Sequence, residues 1–230
     1  MQRRRGRILA RISAVLLAAG CGARDSGPDV QLLLLVSVDT LRVDRLGAYG
    51  STRGLTPRID ALADESQLFT AAYAPVSHTL PSVVSLLTGR YPEELGVWSN
   101  LSVLPEGTPT LATRLRDAGW NTTAVVSNWV LRRASGLDAG FERYDDALPQ
   151  LEAARPMPER IAEQTTDAAL KALDACLPDP PSRCFLWVHY QDPHGPYTPP
   201  QALRERYLPR EQQAPDGRRE LPLLPESFGL

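Results

Sequence analysis

QLLLLVSVD, residues 31–39, is the stretch on which the fold turns. From Leu32 the run carries no charge, and it stops at Asp39. It is too short for a typical helix and shows no clean alternation of apolar and polar residues. Such a run predicts a strand over residues 31–38, buried on both faces in a parallel sheet. Further along, Thr56-Pro57 opens a helix reaching about Glu65, with threonine as cap and proline in the first turn. Residues 67–73 read as a strand, and residues 81–88 as an apolar helix stopped by Gly89. Residues 109–118 read as a helix, 121–127 as a strand, 158–175 as a long amphipathic helix, and 184–190 as a last strand. Strand and helix alternate, so the expected fold is α/β, a largely parallel sheet flanked by helices. After residue 200 the chain turns charged and proline-rich, with no further clear element.

The composition is that of a globular domain: 230 residues, 43% hydrophobic, 23% charged, net charge −2. A near-neutral balance argues against a nucleic-acid binder, which would be basic. The first twenty residues stand apart. MQRRRGR is a basic leader and ILARISAVLLAAG a short apolar segment. Those thirteen residues cannot cross a hydrocarbon core of roughly 30 Å as a helix. Residues 1–20 therefore read as a secretory signal. LLAAGC resembles a bacterial lipobox, with Ala18 where that pattern prefers leucine, which would make Cys21 the lipidated residue. An ordinary cleaved signal with Cys21 incidental is the alternative. Residues 21–30 read as a tether, leaving 31–230 as the folded domain. The expected location is the bacterial cell envelope, lipid-anchored on the periplasmic or extracellular side. Cys176 and Cys184 bracket a short loop, and in an oxidising compartment such a pair suggests a disulfide. Two free buried thiols are the alternative.

Ligands of open parallel sheets collect outside the carboxyl ends of the strands. Asp39 ends the first strand, His194 follows the last, and Thr79 lies between a strand and a helix. A carboxylate at the end of a buried strand needs a partner. Asp39 is therefore a candidate ligand of a hard divalent cation, or else a cap for the segment that follows. Thr79 precedes Pro81 at a helix start, where the N–H groups of Ser82 and Val83 would face an anion. Its hydroxyl is either a nucleophile made competent by a metal or a simple helix cap. His194 sits in DPHGPYTPP, a loop with four prolines. There it either contacts an ester oxygen and protonates a leaving group, or is a surface histidine in a turn. Asp192 orients His194 or caps the turn. His189 alternates with Phe185 and Trp187, which places it in the core or behind the site. Arg90 is a candidate clamp for an oxyanion, or a residue of a structural ion pair.

Taken together, LLLLVSVDTLRVDRLGAYG, TPRIDALADESQLFTAAYA, SHTLPSVVSLLTGRYP and FLWVHYQDPHGPYTPP resemble the sulfatase family of the alkaline-phosphatase superfamily, over about residues 31–200. The resemblance implies an alkaline-phosphatase-like sheet with Asp39 as metal ligand. It puts Thr79 at the nucleophile and metal position, and His194 against the ester. It implies one divalent metal, Ca²⁺ first, with Mg²⁺, Mn²⁺ or Zn²⁺ as alternatives. The substrate would be a small-molecule or glycan sulfate or phosphate ester. Three departures bear on the chemistry. Family members that use formylglycine carry Cys or Ser where Thr79 stands, and Arg where Val83 stands. Thr40 replaces the second Asp of a common Asp-Asp pair. Threonine cannot become formylglycine, so a phosphoester or phosphonate is at least as well suited as a sulfate ester. The family's remaining metal ligands, an Asp followed by Asn or His, do not occur before Leu230. The expectation is thus a domain incomplete at its C-terminus and weakly active or inactive by itself. The alternative is an inactive sulfatase-like lipoprotein or gene fragment that at most binds anionic ligands.

Overall fold

The computed structural model describes residues 31–152, 156–177, 182–197 and 199–207. The expected signal segment, Cys21, the expected tether and the chain after residue 207 lie outside the described residues. Four parallel strands form the main sheet, in the order β1 (Leu32–Val38), β6 (Cys184–Tyr190), β2 (Asn121–Val126), β3 (Arg143–Asp145). A short antiparallel pair, β4 (Gln150–Leu151) with β5 (Pro158–Glu159), stands apart from it. The helices are α1 (Pro57–Asp64), α2 (Thr79–Thr88), α3 (Leu111–Asp117), α4 (Ala162–Cys176) and α5 (Gln201–Tyr207).

The two faces of the sheet have separate cores. On one face, Ala124 and Val126 of β2 with Phe185 and Trp187 of β6 meet Leu80, Val83, Val84 and Leu87 of α2. Those four α2 positions follow the i, i+3, i+4, i+7 stripe that lays one helix side on a sheet. On the other face, Val125, Leu186 and Val188 pack against Ala168, Ala169, Ala172 and Leu173 of α4. Cys176 ends α4 and Cys184 begins β6; their sulfurs are bonded, with the Cα atoms 5.5 Å apart. The start of α3 is held by a reciprocal capping box. The Thr113 N–H donates to the Thr110 hydroxyl at 3.1 Å, and the Thr110 N–H to the Thr113 hydroxyl at 2.8 Å.

Four boundaries differ from the sequence reading. Residues 67–73 are not a strand; Phe69 and Tyr73 are exposed, and the segment joins no strand pairing among the described residues. α2 begins at Thr79 rather than at residue 81, so Pro81 is its third residue. That place tolerates proline because the first N–H groups of a helix have no intrahelical acceptor. α4 begins at Ala162 rather than at residue 158, because Pro158–Glu159 pairs with Gln150–Leu151. Finally, the region after residue 200 does contain a helix, α5.

Candidate active site

Asp39 and Thr79 come from segments forty residues apart and meet at the carboxyl end of the sheet. The Asp39 N–H donates to the Tyr190 carbonyl, continuing the β1–β6 pairing one residue beyond the strand. Thr40, next in the chain, has a φ of 54°. A β-branched residue pays strain in that left-handed region, and the reversal it makes turns the chain away just after the carboxylate.

The Thr79 hydroxyl donates to Asp39, 3.1 Å from Oδ2 and 3.5 Å from Oδ1. The Asn128 amide donates to the same Oδ2 at 2.8 Å. Asn128 follows the end of β2 just as Asp39 follows β1, and the sequence reading missed it. The rule that drew attention to Asp39 and His194 applied equally to that position.

Burial acts to raise the Asp39 carboxyl. It is outweighed by the neighbouring His189 and His194 rings and by the Thr79 hydroxyl. The carboxyl is held below its ordinary value and is ionised at neutral pH. His189 has its side chain almost wholly buried, with Nε2 3.7 Å from Asp39 Oδ2. Its Nδ1 lies 2.9 Å from the Ser37 hydroxyl, which also accepts from the Trp187 indole N–H at 2.9 Å. The network is satisfied when Ser37 gives its proton to Nδ1, leaving the His189 N–H at Nε2, facing the carboxylate. That Nε2 has no hydrogen-bond partner. His189 therefore backs the site directly, in keeping with the core or supporting place that strand alternation gave it.

His194 turns Nδ1 to the Gly195 carbonyl at 2.6 Å. A carbonyl only accepts, so Nδ1 carries the proton of that contact and Nε2 is left for another partner. Asp192 does not orient it; its carboxylate accepts from the Ala162 N–H at 2.7 Å and so caps α4. The free helix start expected at Thr79 is also largely used. The Ser82 N–H bonds to the His78 carbonyl at 3.1 Å, and the Leu80 N–H to the Asn100 side chain at 2.9 Å. An anion here would meet the hydroxyl of Thr79 rather than a fan of amide donors. Arg90 lies on the wall of the cleft, but its guanidinium donates to Glu94 at 3.1 Å, both groups about half exposed. It makes the structural ion pair.

The cleft in front of Asp39 has a volume of about 860 Å³ and is lined by Thr40, His78, Thr79, Ser82 and His189 among others. Asp39 and Thr79 offer hard oxygen donors, and Asp39 Oδ1 has only the long contact to Thr79. These two residues suit a hard cation as part of its ligand set. Six to eight oxygens are wanted by Ca²⁺. Among the described residues no group of three His, Cys, Asp or Glu side chains is close enough to complete a cage.

Residues 31–220 match the Sulfatase family. The chain belongs to the sulfatase family. It is 34% identical over 135 residues to an N-acetylgalactosamine-6-O-sulfatase of Bacteroides thetaiotaomicron, covering 54% of this chain and 26% of that protein. Its fold matches the phosphonate monoester hydrolase of Agrobacterium radiobacter, with a TM-score of 0.61 and 23% identity, over 78% of this chain and 44% of the other. It also matches the C-terminal periplasmic domain of EcEptC from Escherichia coli, solved in complex with Zn. The TM-score there is 0.55 and the identity 20%, over 90% of this chain and 53% of that one. The fold is thus alkaline-phosphatase-like, as the sequence motifs implied, and the chain spans about half the length of these relatives or less.

Proposed function

We propose that this domain carries the nucleophile side of a metal-dependent hydrolase of sulfate or phosphate esters, with Thr79 as the nucleophile. The observation that carries the reading is the hydroxyl of Thr79 held 3.1 Å from the buried Asp39 carboxylate, in an open cleft at the carboxyl rim of a parallel sheet. A divalent cation, Ca²⁺ first and Mg²⁺, Mn²⁺ or Zn²⁺ otherwise, would be held by Asp39 and Thr79 and would supply positive charge against the hydroxyl and the ester oxyanion. Asp39 fixes the direction of the Thr79 oxygen, which attacks the sulfur or phosphorus. A bond from Thr79 Oγ1 to that atom forms as the bond to the leaving oxygen breaks. The hydroxyl proton passes to solvent through the open cleft, and His194 Nε2 gives a proton to the departing alcohol. Water then cleaves the threonine ester, restoring the hydroxyl and releasing sulfate or phosphate. A threonine ester has no route to collapse to an aldehyde, so this second step needs water. That need favours phosphate or phosphonate esters at least as much as sulfates. Small-molecule or glycan esters fit the open cleft. The apolar leader, Cys21 and the Cys176–Cys184 bridge support a lipid-anchored place in the cell envelope.

Two measurements test the reading. Calorimetric titration with divalent ions should show weak binding, since few ligands are in view, and Asp39→Ala should abolish it. Turnover of p-nitrophenyl phosphate, p-nitrophenyl sulfate and a phenylphosphonate ester should be slow and metal-dependent. Thr79→Ala should remove it, by about a thousandfold or more for a lost nucleophile, whereas Thr79→Ser retains part. Turnover that survives Thr79→Ala would refute the assignment.

A further inference from the structure

The neighbours of Asp39 treat its two carboxylate oxygens unequally. Oδ2 accepts from the Asn128 amide at 2.8 Å and from the Thr79 hydroxyl at 3.1 Å, with His189 Nε2 3.7 Å away. Among the described residues, Oδ1 has only the 3.5 Å contact to that same hydroxyl. His189 Nε2 is buried with no hydrogen-bond partner, so it faces the carboxylate and is out of reach of a ligand in the cleft. Asn128 is the one strong donor to Asp39 that the chemistry proposed above leaves without a task.

Asn128 is built to hold one direction. It is 6% exposed, and its backbone bridges to Glu159. Its side-chain oxygen accepts from the Val130 N–H at 3.0 Å and so caps the short turn Trp129–Leu131. Leu131 in that turn is fully buried, and its carbonyl accepts from the Tyr144 hydroxyl at 2.6 Å. With the oxygen spent on Val130, the amide nitrogen is the end that faces Asp39. A flipped amide would set oxygen against carboxylate and nitrogen against the Val130 N–H, losing both bonds at once. The amide is therefore anchored in the core at one end and grips Oδ2 at the other.

We infer that Asn128 is a positioning residue of the cation site: it pins Asp39 Oδ2, so that the carboxylate presents the single oxygen Oδ1 to a divalent cation in the cleft. The inference rests on the cation reading given above. Removing a partner that orients a metal ligand costs about tenfold or more in metal affinity. The test titrates Ca²⁺ and Mn²⁺, each alone, into the whole chain by calorimetry. Asn128→Ser leaves a hydroxyl that can still cap the turn but is too short to reach Asp39. It should weaken the bound ion by about tenfold or more. Thr110→Ala removes a helix cap of α3 and serves as the structural control; it should lower the melting temperature and leave ion affinity unchanged. In the metal-free chain, one proton of the Asn128 side-chain amide should resonate downfield, vanish in Asn128→Ser and lose that shift in Asp39→Ala. Binding that Asp39→Ala abolishes but Asn128→Ser leaves intact would overturn the inference and spare the cation reading. Equal weakening by Asn128→Ser and Thr110→Ala would overturn it too, as would an Asn128 amide signal indifferent to Asp39→Ala. No binding to the unaltered chain, or binding that survives Asp39→Ala, would bring down both.

Discussion

Leu186 and Leu34 are register partners on neighbouring parallel strands, yet Leu186 is 1% exposed and Leu34 is 50%. β6 has a strand on each side, α4 over one face and the α2 cluster over the other. β1 has β6 on one side, and the row Leu34, Val36, Val38 on its α4 face is uncovered by any described element. Similar apolar residues thus make a rigid centre in one strand and an apolar surface strip in the next. The site straddles the divide. Asn128 and His189 come from the buried strands' side, whereas Asp39 hangs from the strand with the bare row. The sharpest way to break this comparison is a pair of substitutions read by urea denaturation. Trp187→Ala should cost about 3–5 kcal/mol, the usual range for a buried aromatic. Val36→Thr, on the bare row, should stay within about 0.5 kcal/mol. Equal losses would show that β1 is packed as tightly as β6 in solution.

The same contrast explains how much of the molecule was legible in its sequence. LLLLVSV and CFLWVHY read correctly as parallel strands because both carry the run of apolar residues that two-sided burial demands. Nothing in the run told that only CFLWVHY would be covered on both faces, since composition records what a strand could bury rather than what lies over it. QLFTAAY has a strand-like composition too, but it joins no strand pairing among the described residues. Asp39 and Thr79 were legible through position, each at the end of an element with a reason to meet a ligand. Asn128, which also follows a strand, was missed because a neutral amide lacks the charge that made Asp39 a ligand candidate. The crowding of the α2 start by His78 and Asn100 was invisible for the same reason. Asn100 is twenty residues from Leu80, and nothing local couples them.

The central strand is also tied covalently where the edge strand is not. Cys176 and Cys184 are eight residues apart. Closing a loop of that length restrains the unfolded chain by about 2.5 kcal/mol in the chain-entropy account. A Cys176→Ala, Cys184→Ala double variant should lose close to that amount in denaturant titrations, with its loosening seen by amide exchange at α4 and β6 and little change at β1. Exchange that quickens first at β1 would make the edge strand, not the bridge, the weak point of the sheet. A smaller effect of opposite sign is expected where β1 ends. Thr40 holds a φ of 54°, and a non-glycine residue strained in this way costs about 1–3 kcal/mol. Thr40→Gly relieves the strain but adds freedom to the unfolded chain, worth about 1 kcal/mol against it. The net should be a gain of about 1 kcal/mol or slightly less in unfolding free energy, which thermal denaturation would detect. A loss would mean that the Thr40 side chain contributes contacts outweighing its backbone strain.

The smallest expected effect is the acid limb of stability, and it isolates the join between the two regions. The Asp39 carboxyl stands below its ordinary value of 3.8 in the folded chain, because His189, His194 and Thr79 together outweigh the effect of burial. Between the folded and unfolded values the unfolded state binds more protons, so stability rises with pH there. The contribution of Asp39 is complete above the ordinary value and is lost as pH falls through the lower folded one. Asp39→Asn keeps the shape and removes the titration, so its unfolding free energy should lack that part of the acid slope. Denaturation midpoints of the metal-free protein and of the variant, measured from pH 6 downward, should therefore diverge least at the acid end. Since the partners that depress the carboxyl belong to β6, its following loop and α2, His189→Gln should shrink the same slope while leaving the Asp39 carboxyl itself in place. A slope unchanged in Asp39→Asn would mean that the carboxylate at the end of the edge strand is not electrostatically joined to the centre of the sheet.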